Sequence, residues 1–87
     1  MASVTVTNSV TLILADNPKR LSVSISNYGA NTVYIGQDTS VTSANGVHLP
    51  TNATLTEDSG GTKVYCGPIY GITASSTSDV RYWERQR

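Results

Sequence analysis

Few side chains in this sequence combine in a pattern that supports acid–base, nucleophilic or metal chemistry. His48 is the single histidine and Cys66 the single cysteine, whereas zinc sites need three or four such ligands at short, defined spacings. His48 lies between Val47 and Leu49, so on a strand its ring faces away from these two apolar residues, toward solvent. Neither a catalytic triad nor a metal site is predicted.

Two short stretches are similar to ligand-binding loops but lack the patterns those loops need. Glu57-Asp58 precedes Ser59-Gly60-Gly61, without the alternating oxygen ligands of a calcium loop. Gly60-Gly61-Thr62-Lys63 has neither the full phosphate-loop pattern nor a helical sequence behind it. We therefore expect no cofactor and no enzymatic activity, and any function must reside in the surface that the protein presents.

Length and charge restrict the fold and the partners. A chain of 87 residues with 6 basic and 6 acidic residues predicts a single domain, residues 1–87, without net charge. The long-range attraction to nucleic acid or to an anionic membrane is then missing, so we expect neither as a partner. The longest apolar run, Leu12 to Ala15, is too short for a signal core or a membrane span. We expect a protein made and folded in the cytoplasm.

Alternation of apolar and polar residues predicts short β-strands along most of the chain. In Leu21 to Ser26, the apolar residues share one face and the serines share the other. Val10, Leu12 and Leu14 are in phase and predict one buried face. Further strands are predicted at Val4–Thr7, Val33–Ile35, Val47–Leu49, Ala53–Leu55, Val64–Cys66, Tyr70–Ala74 and Val80–Trp83.

Turn-forming residues separate these strands. Asn45-Gly46 suits the left-handed backbone of a type I′ turn and predicts a tight hairpin. No stretch of the sequence keeps a helical period. The pattern therefore predicts an all-β fold, a single compact antiparallel β-sandwich or jelly roll of about eight short strands.

The N-terminal stretch leaves alternatives open. Residues 1–9 are polar apart from Val4 and Val6. This composition is typical either of an edge strand, which can also be laid on a neighbouring copy, or of a frayed N-terminal arm.

The C-terminal stretch concentrates cationic side chains. Residues 84–87 are expected to form a short tail. Arg81, Arg85 and Arg87 share the parity of Trp83, so on an extended segment a guanidinium can lie over the indole. The alternative is a solvated last strand with unpaired surface charges.

Tyrosines fall into two groups by the parity of their strands. Tyr70 shares a face with Ile72, and Tyr82 shares one with Val80, so we expect both tyrosines to help close the core. Tyr34 and Tyr65 lie opposite the apolar parity of their strands. Exposed tyrosines of this kind suit either a protein interface or a surface that stacks on sugars.

The order of strands and turns resembles that of small virion proteins of tailed bacteriophages, the capsid decoration or cement proteins. The resemblance spans residues 19–83 and rests on Arg20 to Asn27, Val33 to Gly36, Val41-Thr42, Asn45 to Pro50, Tyr70 to Ser76 and Val80-Arg81. It implies a compact β-sandwich that binds the outer surface of a capsid and stabilises the shell.

The resemblance also implies partners and a location. The partner would be the major capsid protein, the protein itself would be a homotrimer, and it would be located on the virion surface after synthesis in the host cytoplasm. Candidate contact residues are Val4, Val6, Tyr34, Tyr65, Trp83 and Arg85. The alternative function is a tail or spike adhesin whose exposed tyrosines and Trp83 stack on host-surface glycans.

Overall fold

The computed structural model describes residues 2–58 and 65–86. These residues form eight strands and no helix, so the predicted all-β fold is confirmed. The predicted stretch Gly60-Gly61-Thr62-Lys63 and Val64 lie outside the described residues. The strands are β1 (Ala2–Val6), β2 (Thr11–Leu14), β3 (Arg20–Asn27), β4 (Val33–Gly36), β5 (Val47–Leu49), β6 (Thr54–Asp58), β7 (Ile69–Thr73) and β8 (Ser78–Gln86).

The strands form two antiparallel sheets of four strands each. Sheet A has the order β1-β8-β3-β6 and sheet B the order β2-β7-β4-β5. Each of the pairs β1–β8, β2–β7, β3–β6 and β4–β5 is hydrogen-bonded, so strands from the two halves of the chain are nested one inside another. This nesting is the strand order of an eight-stranded jelly roll.

Apolar residues from both sheets meet in the space between them. Along β4, for example, Val33 and Ile35 are buried while Tyr34 is only half-buried, as expected for a sheet with one face on the core. Val4, Ala53 and Tyr82 pack against this core from its margin, so the expectation for Tyr82 is confirmed. The buried apolar residues of the core are Val6, Ile13, Leu14, Val23, Ile25, Val33, Ile35, Leu49, Ile69 and Val80.

A β-bulge in β2 overturns the prediction that Val10, Leu12 and Leu14 share one buried face. The register of β2 on β7 shifts between Leu12 and Leu14, and an extra residue in a strand reverses the alternation beyond it. Ile13 and Leu14 are therefore both buried. Leu12 is 47% exposed on the outer face.

The predicted type I′ turn at Asn45-Gly46 is also wrong. Among the described non-glycine residues, positive φ occurs at Asn52 and Ser76 and not at Asn45. The Thr42 carbonyl instead accepts hydrogen bonds from the backbone N–H groups of Asn45 and Gly46, while the Asn45 side chain accepts one from the N–H of Thr42. β4 and β5 are thus joined by a folded loop, residues 37–46, rather than by a tight hairpin.

Two further strand predictions are corrected by the structure. Tyr65 and Cys66, predicted within a strand, lie in the loop before β7. β8 runs on through Glu84 and Arg85 to Gln86, so the stretch expected to be a tail is strand up to that residue. At the other end, β1 pairs with β8 of the same chain and forms an edge of sheet A.

The end of β3 is held by the buried amide of Asn27. Its Nδ2 donates to the carbonyls of Asn31 and Leu49, each at 2.8 Å. Its Oδ1 accepts from the N–H of Gly29 at 3.0 Å and from the Ser78 hydroxyl at 2.7 Å. Asn27 thereby joins its own strand to the end of β5 in the other sheet and to the start of β8, and its own side chain is fully buried.

The start of β3 is held by a buried cation. Arg20 is 2% exposed, and its Nε lies 2.6 Å from a carboxylate oxygen of Glu84 on β8. Its Nη1 donates to the carbonyls of Tyr65 and Gly67, each at 3.0 Å, and its Nη2 donates to Ala15 at 2.8 Å. Ala15 directly follows β2, and the other two carbonyls precede β7. This one side chain therefore links sheet A to the end of β2 and to the loop before β7 in sheet B.

We predict that Asn27→Ala lowers the free energy of unfolding by about 3 kcal/mol, because several buried donors and acceptors lose their partners. Urea unfolding followed by circular dichroism measures this change. The control is Ser24→Ala, because Ser24 is half-buried on the outer face of the same strand. Its free energy of unfolding should stay within about 0.5 kcal/mol of the wild-type value. Equal stabilities of the two variants would contradict the role given to Asn27.

Candidate functional site

The outer faces of the two sheets differ sharply in chemistry. On sheet B, Leu12 pairs with Tyr70, and Tyr34 pairs with both Ile72 and His48. The rings of Tyr34 and His48 meet edge to face with their centroids 4.9 Å apart. We call this surface the apolar face; its outward-pointing residues are Leu12, Tyr34, His48, Tyr70 and Ile72.

The apolar face arises because small residues occupy two of the three inward positions of β7. Gly71 and Thr73 point to the core, and a Cβ on Gly71 would lie 2.8 Å from the Ile13 side chain. Tyr70 and Ile72 are consequently directed outward. The expectation that Tyr70 helps close the core is therefore wrong, since the face it shares with Ile72 is the outer one.

The outer face of sheet A is hydroxyl-rich and carries charges and one indole. Along β8 the outward positions are Asp79, Arg81, Trp83 and Arg85, since Val80 and Tyr82 point inward. We call this surface the polar face. Its outward-pointing residues include Ser3, Thr5, Ser24, Ser26, Thr54, Thr56, Asp79, Arg81, Trp83 and Arg85.

Two aromatic rings stand above the polar face. Trp83 is 48% exposed and lies opposite Ser24 in the register of β3 and β8. Tyr28, 55% exposed, lies under the guanidinium of Arg81, whose central carbon is 4.7 Å from the ring centroid. The predicted cation–π contact therefore joins Arg81 to Tyr28, and not to Trp83, within the described part of the chain. The Nε of Arg81 also lies 3.4 Å from a carboxylate oxygen of Asp79.

A groove of about 570 Å³ opens between β5 and β6, which are edge strands of the two sheets. Val47 and Leu55 occupy inward positions on these strands, yet they are 58% and 36% exposed. Val41 and Ile69 complete apolar walls. The loop of residues 37–46 forms the opposite rim and closes against the sheet because Gly36 and Gly46 lack side chains where Val41 packs.

The charge at this rim is the carboxylate of Asp38. Hydrogen bonds from the hydroxyl and from the backbone N–H of Ser40 hold the pKa of the Asp38 carboxyl below its ordinary value. Tyr65 lines the groove from the side, and its hydroxyl donates to the carbonyl of Pro68 at 2.8 Å. Desolvation by burial raises the pKa of the Tyr65 phenol.

The six predicted contact residues are distributed over different parts of the molecule. Val4 is half-buried and Val6 is fully buried in the core, so the side chain of Val6 cannot reach a partner. Tyr34 lies on the apolar face and Tyr65 on the groove wall. Trp83 and Arg85 lie together on the polar face.

Sequence reasoning misses three residues of the apolar face, namely Leu12, Tyr70 and Ile72. The alternation of residues on β7 is visible in the sequence, but it does not show which of the two alternating sets faces the core. The sizes of the residues could have shown it, because Gly71 and Thr73 leave room for the other sheet whereas Tyr70 does not.

No group of three or more His, Cys, Asp or Glu side chains in residues 2–58 and 65–86 could hold a metal ion. The described ranges also contain no helix that is long and apolar enough to cross a membrane. Comparison with known protein families, with curated proteins and with solved structures finds no match for this chain.

The fluorescence of Trp83, the single tryptophan of the chain, tests the geometry of the polar face. Because the indole is exposed and flanked by Arg81 and Arg85, we predict that iodide quenches it more strongly than caesium, by about twofold at low salt. Arg85→Gln should reduce this difference. Weak quenching by both ions would contradict the exposed position of the indole.

Proposed function

We propose that this protein is a structural virion protein that binds the outer surface of a tailed-bacteriophage capsid and stabilises the shell as a decoration protein. The observation that carries the proposal is the apolar face. It combines aromatic and aliphatic side chains with the ring of His48, and its described outward residues include no carboxylate, lysine or arginine.

The composition of the apolar face fits a contact with another protein. Tyrosines are enriched in interfaces because a large ring buries much apolar area while its hydroxyl keeps a polar partner. Leu12 is about half exposed in the free protein. A partner that covers it would remove apolar surface from water, which favours binding. The apolar face would therefore contact the shell, and the polar face would point to solvent.

Two further points support a capsid location. The strand order is that of jelly rolls, which occur in viral capsid proteins, although a fold alone does not fix a function. The order of strands and turns in the sequence also resembles decoration proteins of tailed phages. From that resemblance we propose the major capsid protein as partner and a homotrimer as the bound form.

Binding to the assembled shell would stabilise it by mass action. A ligand that binds the intact lattice and not its dissociated subunits raises the temperature at which the lattice falls apart. A neutral protein also avoids repulsion between many copies packed on one surface.

We predict that the wild-type protein raises the melting temperature of bare mature capsids, and that Leu12→Asp abolishes this rise. A carboxylate in the apolar face would have to be desolvated against the shell, which should weaken binding at least about tenfold. Co-sedimentation gives the affinity and scanning calorimetry the melting temperature.

Trp83→Asp is the matched control, because Trp83 and Leu12 are 48% and 47% exposed on opposite faces. This variant should bind capsids like the wild type, and circular dichroism should show both variants folded. Capsids that neither bind the wild-type protein nor melt later in its presence would refute the proposal. Loss of binding in the Trp83 variant alone would refute the assignment to the apolar face, and a 9.2 kDa monomer in sedimentation would remove the trimer.

A further inference from the structure

The polar face combines exposed rings with a floor of small hydroxyl side chains. We propose that it binds a carboxylated saccharide, with a sugar ring stacked on Trp83 and the carboxylate held by Arg85. This site lies on the sheet opposite the apolar face, so it does not depend on the proposed capsid contact and both surfaces can be occupied together.

The floor of the site makes the indole accessible. Trp83 lies on β8, opposite Ser24 of β3, and the described pairing of β8 with β1 ends at Tyr82. The outward residues nearest to it in the two registers are Ser24, Ser26 and Ser3, the last two opposite Arg81. Because these side chains are short, the indole stands above its surroundings, and a flat ligand can reach its face.

The amphipathic character of the face matches that of a sugar. A sugar ring has an apolar C–H surface and a rim of hydroxyl groups, and the polar face has exposed aromatic rings surrounded by hydroxyls. The hydroxyls of Ser26 and Thr54 lie 2.8 Å apart and already form a side-chain pair across β3 and β6. Each hydroxyl can both donate and accept, as recognition of sugar hydroxyls requires.

The charge of Arg85 favours an acidic ligand. Arg81 is engaged by the Tyr28 ring and by Asp79. Arg85 is exposed and makes no ion pair or hydrogen bond within the described residues. It lies two residues from Trp83 on the same side of the strand, roughly 7 Å away along the chain. A guanidinium at this distance from a stacking ring can take a carboxylate in bidentate fashion.

Other occupants fit this face less well. A protein partner would need a contiguous apolar core at the contact, whereas the large apolar groups of this face are two separate rings. Single-stranded nucleic acid stacks on aromatic rings as well, but it needs a track of cations along its phosphates. On this face Asp79 offsets one of the two outward arginines of β8.

The test uses the full-length protein and the fluorescence of Trp83. The probe is a hexamer of galacturonic acid, and its fully methyl-esterified form is the matched ligand without charge. We expect saturable change of the indole emission with the acid, at least about tenfold weaker binding of the ester, and a similar loss for Arg85→Gln with the acid.

Two variants and one further ligand complete the design. Leu12→Ser, on the opposite sheet, should bind the acid like the wild type, and Trp83→Ala should lose binding measured by calorimetry. No saturable response to either hexamer, or equal binding of acid and ester, would overturn the proposal. So would a response to hexathymidylate that exceeds the response to the acid, because the face would then be a nucleic-acid surface.

Discussion

The buried guanidinium of Arg20 is the constraint on which the rest of the structure depends. A charge in the interior is tolerated only when a counter-charge and hydrogen-bond acceptors surround it, and here Glu84 and three backbone carbonyls do so. The three carbonyls lie in the loops next to β2 and β7 of sheet B, and the carboxylate lies on β8 of sheet A. The relative position of the two sheets at this end is therefore set by one side chain, while Asn27 sets it at the other end of the same strand.

This anchoring leaves the two outer faces free to differ in chemistry. On β8, the inward positions of Tyr82 and Glu84 direct the intervening Trp83 and the following Arg85 to the polar face. On sheet B, the inward Gly71 has the same consequence for Tyr70. The apolar face, for which we propose a capsid contact, and the polar face, for which we propose a saccharide, both follow from the alternation of residues on strands that pack on one core. Neither surface needs a group with a shifted pKa or a bound ion.

Much of the fold could be predicted from the sequence, and the reasons for the failures are physical. The alternation around Ile25 and the absence of a helical period were enough to predict eight short strands in two layers. The bulge that turns Leu12 outward could not be seen, because an extra residue leaves no mark in the local pattern. The buried Arg20 and Asn27 were also missed, since both flank an apolar strand at positions where solvated side chains are common. Of the predicted contact residues, Trp83 and Arg85 were brought together, whereas Val6 went to the core.

A double-mutant cycle between Arg20 and Glu84, followed by urea unfolding, tests most directly whether this buried pair within sheet A holds the guanidinium that contacts the segments next to β2 and β7 of sheet B. Arg20→Met and Glu84→Gln should each lower the free energy of unfolding by about 3 kcal/mol, because each leaves the other partner buried without its counterpart. The double variant should lose less free energy of unfolding than the two single variants together, with a difference of at least about 1 kcal/mol. Additive losses, or single variants within about 0.5 kcal/mol of the wild type, would contradict the central role of the pair.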